Sequence, residues 1–282
     1  MIHSRPEIIH RRPETIHTHQ TAPTQFVEAN GIRFAYRRFG VPIVFNPHGS
    51  PVPISQAVRP ARFPVPVRRG SAMKLYHSAS SPNSRRVRIF LAEKGLSIPL
   101  STVDLGKGEQ HSDAYRAINP RRVVPTLVLE DGTAIGEVPA ICRYIEEAHP
   151  TPPLLGETAK EKALVTMWER RAELEGFAAV MEAIRNAAPG LKSRAIAGPH
   201  DYEQIPELTE RSKLRVKNFF ADFDARLGEV PFVAGQRFSV ADITALVTVD
   251  FAAKAINSPV PDGHHSLKRW YDVISSRSSM AA

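Results

Sequence analysis

The sequence of 282 residues contains a single cysteine, Cys142. One thiol excludes an internal disulfide framework and any cysteine-clustered zinc or iron–sulfur site. It also makes a reducing compartment, the cytoplasm, the expected setting. No apolar run reaches the roughly 18 residues of a membrane-crossing helix, and no membrane partner is expected. The eleven histidines show no H-x-x-x-H or H-x-x-E metal spacing within a folded segment, so no metal is expected; His264-His265 reads as loop. Residues 1–72 hold no lysine, whereas residues 73–282 hold ten. No block of five or more like charges occurs in that first stretch, which argues against a polybasic arm.

The excess of positive charge, +8 overall, is confined to one part of the chain. Ten arginines against three glutamates place +7 in residues 1–72, and 27 basic against 26 acidic residues leave +1 for residues 73–282. A nucleic-acid-binding fold spreads its basic groups over a folded face, so no nucleic-acid partner is expected. The first stretch also carries ten of the 24 prolines, six of them between Pro47 and Pro66, which excludes helix and central strand there. Residues 1–72 are expected to be a disordered or extended extension. Pro6 and Pro13 break any amphipathic transit helix, and no secretory apolar core is present. The composition changes abruptly at Met73, from which we expect residues 1–72 to be dispensable, with the native chain starting at Met73.

One part of the extension has strand character. Phe26-Val27-Glu28-Ala29 and Ile32-Arg33-Phe34-Ala35-Tyr36 flank Asn30-Gly31, a strong hairpin signal. With Val41-Pro42-Ile43-Val44-Phe45 and His48-Gly49, residues 24–49 resemble the opening hairpin of an α/β-hydrolase. That fold needs a G-x-S-x-G nucleophile elbow, and the sequence has none. The piece is a truncated fragment without hydrolase chemistry.

From Met73 the pattern is regular. Residues 74–77 alternate as a strand, 82–94 read as a helix ended by Gly95, and 98–103 read as a second strand. A helix over 112–118 follows, then a strand over 123–129 with Pro125 near its start. Asp131-Gly132 turns the chain into a partner strand over 133–135, and 137–148 form a helix stopped by His149-Pro150. The order βαβαββα with proline before the third strand is thioredoxin-like. After the linker Thr151-Pro152-Pro153, helices are expected over 160–188, 206–227, 239–256 and 266–276. The expected architecture is an α/β thioredoxin-like domain, 73–150, followed by an all-α domain, 157–282.

Four motifs in order carry a family resemblance over residues 73–282. They are Ser80-Ser81-Pro82-Asn83-Ser84-Arg85-Arg86; Asn119-Pro120 with Val123-Val124-Pro125-Thr126-Leu127; Gly136-Glu137 with Ala140-Ile141-Cys142-Arg143-Tyr144-Ile145; and Phe232-Val233-Ala234-Gly235-Gln236-Arg237-Phe238-Ser239-Val240-Ala241-Asp242. Together they resemble the cytosolic glutathione S-transferases, of the bacterial, serine-type, theta-, zeta- or omega-like kind. The resemblance implies glutathione as co-substrate and no metal.

It also implies roles. Ser81, with Ser80 as runner-up, would donate to the glutathione sulfur. Pro82 suits the first helical position, which makes Ser81 the N-cap, and a helix N-terminus favours thiolate over thiol. Pro125 would be cis, and the Val124 backbone would pair with the cysteinyl part of glutathione. Glu137 and Val138 stand where the family binds the γ-glutamyl carboxylate; Val138 lacks the hydroxyl that the family has there. Gln110 and His111 would take the glycine carboxylate. Ser239 and Asp242 form a capping box of folding significance, and Cys142 is a buried, inert thiol. Trp168, Phe177, Met181 and Phe219 are candidate walls of an electrophile pocket, or core.

The function expected is glutathione transfer to a hydrophobic electrophile, by a cytoplasmic homodimer serving detoxification. Glutathione-dependent thiol–disulfide or isomerase chemistry is the alternative, as is a non-catalytic glutathione-binding protein.

Overall fold

The computed structural model describes residues 24–29, 32–37, 43–45, 51–53 and 73–282. The first four stretches form two antiparallel ribbons. Strand β1 (Thr24–Ala29) pairs with β2 (Ile32–Arg37), Thr24 opposite Arg37 and Ala29 opposite Ile32. Strand β3 (Ile43–Phe45) pairs with β4 (Pro51–Pro53). The hairpin expected around Asn30-Gly31 is thus present as two paired strands. Asn30-Gly31 itself, His48-Gly49 and the rest of residues 1–72 lie outside the described residues.

The remaining structure is built on a four-stranded sheet in the order β6-β5-β7-β8. Strand β5 (Lys74–His77) leads into helix α1 (Pro82–Glu93), and β6 (Leu100–Thr102) returns parallel to β5. A parallel return requires a crossover, which α1 supplies. Gly95, at φ 65°, releases the chain from α1, a conformation glycine adopts without steric cost. Helix α2 (Asp113–Ile118) precedes β7 (Thr126–Val128), which runs antiparallel to β5; β8 (Ala134–Ile135) completes the sheet, and α3 (Val138–Ala148) follows. This is the expected thioredoxin-like order.

The second layer is helical: α4 (Ala159–Arg171), α5 (Ala178–Ala187), α6 (Pro206–Glu229), α7 (Val240–Ile256) and α8 (His265–Ser275). Two expectations need correction. The helix expected over 160–188 is interrupted by a π-helical segment, Ala172–Phe177. Gly176 within it lies against Phe219 and Thr248, so closely that a Cβ there would sit 2.8 Å from the Phe219 ring. The wider turn lets α7 and α6 approach the backbone. His265, expected in a loop, opens α8.

Phe219, Phe220 and Phe223 are fully buried on α6. The Phe219 and Phe223 rings stand 4.3 Å apart, and Trp168 meets Phe223 edge-on at 5.8 Å. Burying one such side chain contributes about 2–3 kcal/mol. Helix α7 is almost wholly buried, which explains why its start is so firmly fixed. The Ser239 hydroxyl accepts from the Ala241 N–H, while Asp242 accepts from the backbone N–H groups of Ser239 and Val233 and from the Trp270 indole. Burial pushes the Asp242 carboxyl up to about 6 against the opposing pull of those three donors and of the Ser239 hydroxyl. The Asp242 cluster is the capping box expected from sequence, here also pinning α8 through Trp270. No helix among the described residues is long and apolar enough to cross a membrane.

Candidate active site

Helix α1 starts in a manner that leaves one hydroxyl proton unassigned. Ser81 is its N-cap, in extended backbone conformation, with Pro82 at the first helical position. Its Oγ accepts from the Ser84 N–H at 3.2 Å. A serine hydroxyl has one proton to donate besides its lone pairs. No acceptor for that proton occurs among the described residues, and Ser81 lines an open cleft. Ser80 also lines it, but its hydroxyl lies 3.3 Å from that of Ser78, and the residue is exposed. Position and geometry both favour Ser81 over Ser80.

The opposite lip of the same cleft comes from the segments before α2 and before β7. Gln110 and His111 sit in a short 3-10 turn, Glu109–His111. The Gln110 Oε1 is buried without a hydrogen-bond partner. His111 is held below its ordinary pKa by burial first, then by the nearby charges of Arg194 and Arg122, with Asp201 opposing. Val124 is buried and precedes Pro125 through a cis peptide, as expected. The Asn119 side chain donates to the Val123 carbonyl and to the Thr126 hydroxyl, and Tyr115 donates to that carbonyl at 2.7 Å. These bonds fix the loop that carries Val124.

The third wall is helical. Met181, Ile184 and Arg185 of α5, Phe251 of α7, and the loop 190–201 enclose a volume of about 590 Å³ with Ser81, Gln110, His111 and Val124. Of the four candidate wall residues, Met181 alone lines the cleft. Trp168, Phe177 and Phe219 are buried in the core, with Phe177 stacked 5.6 Å behind Phe251.

Residues 75–153 match the family model for the glutathione S-transferase N-terminal domain, and residues 179–278 that for its C-terminal domain. The chain is 37% identical over 211 residues to glutathione S-transferase 2 of Saccharomyces cerevisiae, covering 74% of this chain and 88% of that one. It is 31% identical over 202 residues to glutathione S-transferase F10 of Arabidopsis thaliana, covering 70% and 89%. The crystal structure of a glutathione S-transferase domain-containing protein of Marinobacter aquaeolei superposes with a TM-score of 0.68 at 34% identity, covering 73% of this chain and 99% of that one. The chain belongs to the glutathione S-transferase family. Like these relatives, it is a glutathione transferase.

The site fits the family's co-substrate. Glutathione carries a thiol, two carboxylates and an ammonium group. The cleft offers an undirected hydroxyl proton at a helix N-terminus, an unpartnered amide oxygen on Gln110 and an unpartnered buried Nε on Arg122. Not all expected residues meet there. Pro125, Glu137 and Val138 are absent from the lining. Glu137 is exposed and held at φ 64°, ψ 128° as the N-cap of α3, a strained conformation for a residue with a Cβ. The Val138 side chain, 4% exposed, belongs to the core. Sequence reasoning missed Arg122, Arg185, Arg194, Ile184 and Phe251. Arg122, at φ 56°, follows Asn119-Pro120 within the second of the four motifs, so it alone has a local signal.

Proposed function

We propose that Ser81 is the residue that activates the glutathione thiol for attack on an electrophile. The observation that carries this reading is the free hydroxyl proton of a helix N-cap facing the cleft. Bound glutathione supplies the nucleophilic sulfur. Ser81 donates to it, and the unpaired N–H groups and partial positive charge at the start of α1 favour its ionised form. Gln110, His111 and Arg122 receive the glycine carboxylate. The Val124 backbone pairs with the cysteinyl amide, beside Pro125. Glu137 and the backbone of Val138 serve the γ-glutamyl end, without the hydroxyl that other members have. Met181, Ile184 and Phe251 receive the apolar body of the electrophile.

Thiol–disulfide exchange is disfavoured by Cys142. It is the chain's one thiol, fully buried, and burial pushes its pKa far up. A serine therefore holds the position at which such chemistry would need a cysteine.

Ser81→Ala is expected to lower turnover about 10- to 1000-fold, as when one charge-stabilising donor is lost. The ionisation of bound glutathione, followed by thiolate absorbance, should move to higher pH. Ser80→Ala is expected to change neither. The reverse result would transfer the role to Ser80.

We further infer a cytoplasmic, detoxifying homodimer whose functional unit is residues 73–282, in two domains, 73–150 and 157–282. A chain starting at Met73 is expected to match the full chain in melting temperature and activity, and to scatter light as twice its mass.

A further inference from the structure

The cleft's positive charge is divided between its two sides. Three guanidinium groups line it, those of Arg122, Arg185 and Arg194, against one carboxylate, Asp201. Arg122 stands on the glutathione side, in the loop that leads to Val124. Arg185 and Arg194 stand on the helical side, with Met181, Ile184 and Phe251. The Nε atoms of Arg122 and Arg185 are buried and have no partner among the described residues. Arg185 Nη1 donates 2.8 Å to the Arg194 carbonyl, a bond that leaves its charge uncompensated. Arginines on the neighbouring helices are paired: Arg171 of α4 with Glu175, and Arg211 and Arg215 of α6 with Glu182 of α5.

The segment that presents Arg194 is built rather than loose. The Gln204 amide donates to the carbonyls of Arg185 and Ala188, both at 2.8 Å. Ile205 N–H donates to the buried Asn186 side chain at 2.8 Å. Backbone bonds join Ala195 to Tyr202 and Tyr202 to Ser193, each at 3.0 Å. The loop is thereby folded back on α5, with Arg194 beside Arg185. Burial holds the Arg185 pKa down, and the neighbouring Arg194 charge adds to this. Two like charges held together, with Asp201 the one carboxylate on the lining and neither guanidinium in an ion pair among the described residues, favour a ligand that carries counter-charge.

We propose that Arg185 and Arg194 form an anion subsite for the second substrate, which is an electrophile with an apolar body and a carboxylate or similar anionic group. The assignment rests on the transferase reading above. The apolar body lies on Met181, Ile184 and Phe251, and the anionic group meets the guanidiniums, whose planar forks suit a carboxylate. Glutathione's own glycine carboxylate is served across the cleft by Gln110, His111 and Arg122.

The test uses the full chain and two probes with the same chloronitro ring, 4-chloro-3-nitrobenzoate and its methyl ester, in which the anionic group is free or masked; the ester's greater intrinsic reactivity cancels when the ratio is compared between variants. In both, the thiolate sulfur adds to the ring carbon bearing chlorine. The C–S bond forms, the C–Cl bond breaks, chloride leaves with the electron pair, and the thiol proton passes to buffer. In Arg194→Gln and Arg185→Gln, the carboxylate-to-ester ratio of kcat/KM is expected to fall about 10- to 100-fold, as for the loss of a charge-assisted hydrogen bond. Arg185→Lys should recover part of that ratio. Calorimetric titration with 4-chloro-3-nitrobenzoate alone, without glutathione, should show saturable binding that Arg194→Gln weakens by a similar factor. Arg194 is exposed, so folding of that variant is secure. An unchanged ratio in both variants would overturn the proposal. So would a rise in KM for glutathione with the ratio constant, because the arginines would then hold the tripeptide. If neither probe is turned over, the transferase reading fails instead, and the titration still judges the subsite.

Discussion

Arg86 and Arg185 are the same residue type in opposite situations. Arg86 projects from α1 into the helical layer, 1% exposed. Its guanidinium donates to Glu169 at 2.7 Å, Glu173 at 3.0 Å, Asn83 at 3.1 Å and Thr244 at 3.2 Å. Phe177 lies 5.2 Å beneath it. Four of its five N–H donors are used, and two carboxylates face one cation. Lys94, at the end of α1, is treated alike: it donates to the His149 and Pro152 carbonyls and pairs with Glu146. Arg185 and Arg194, by contrast, face a cleft with no carboxylate in reach but Asp201 on the lining. A buried cation paired within the chain joins layers. A cation left unpaired at a cavity is available to a ligand. The contrast, more than the count of arginines, separates framework from site.

Breaking the paired side should give the largest effect. Arg86→Ala removes the cation from two carboxylates and leaves Glu169, already pushed above its ordinary range by burial against the opposing pull of Arg86, without its partner. The expected loss is about 3–5 kcal/mol, as for other buried pairs cut on one side, read by denaturant unfolding. The sign of the pH effect follows. A carboxyl whose folded pKa lies above its unfolded value keeps a proton that the unfolded chain releases, so folding loses stability as pH rises. In Arg86→Ala the Glu169 pKa rises further, so the deficit should widen above pH 4.5, the group's ordinary value, and shrink below it. Arg194→Gln, on the unpaired side, should alter stability by no more than about 0.5 kcal/mol. Equal losses in the two variants would erase the distinction.

Gly176→Ala should come next. Its Cβ would press on Phe219 and Thr248 from within 3 Å, in a core that resists overpacking at about 1–3 kcal/mol. Val138→Ser follows at about 1–3 kcal/mol, because it places a hydroxyl where an apolar side chain is 4% exposed. Melting temperature reads both, and glutathione titration of Val138→Ser shows whether the added hydroxyl also reaches the γ-glutamyl end.

These sites differ in how plainly the sequence announced them. Ser81-Pro82, Gly95 and the Ser239/Asp242 box are local signals: each residue's conformation is dictated by neighbours within four positions, whereas the cis Val124-Pro125 bond was legible only through the family resemblance. The order of strands and helices along the chain was legible from the periodicity between them. The π-helical turn was not legible, since Ala172–Phe177 has ordinary helical composition and only the Phe219 ring against Gly176 demands the wider turn. Nor were Arg185 and Arg194. Their placement depends on Gln204 and Asn186 bonds spanning 16 to 19 residues, across a segment with no periodicity. Trp168, Phe177 and Phe219 were ambiguous between wall and core because helical spacing reports burial, not what lies beyond the buried face.

The smallest expected effect probes the unpaired side directly. His111 is held down first by burial, and burial will persist in any Arg194 variant. The second cause is the Arg194 charge, followed by that of Arg122, with Asp201 pulling upward. Removing a like charge favours the protonated form, so Arg194→Gln should raise the His111 pKa without restoring its ordinary value. The imidazole proton resonances, titrated between pH 5 and 8 with and without the substitution, measure the shift. An anion bound between the arginines should act in the same direction as the substitution, since it screens the same charge. If 4-chloro-3-nitrobenzoate moves His111 upward in the unaltered chain and not in Arg194→Gln, the two guanidiniums and the imidazole share one field. A His111 pKa that ignores both Arg194 and the anion would mean that the cleft's charges act independently, and that burial alone sets the imidazole.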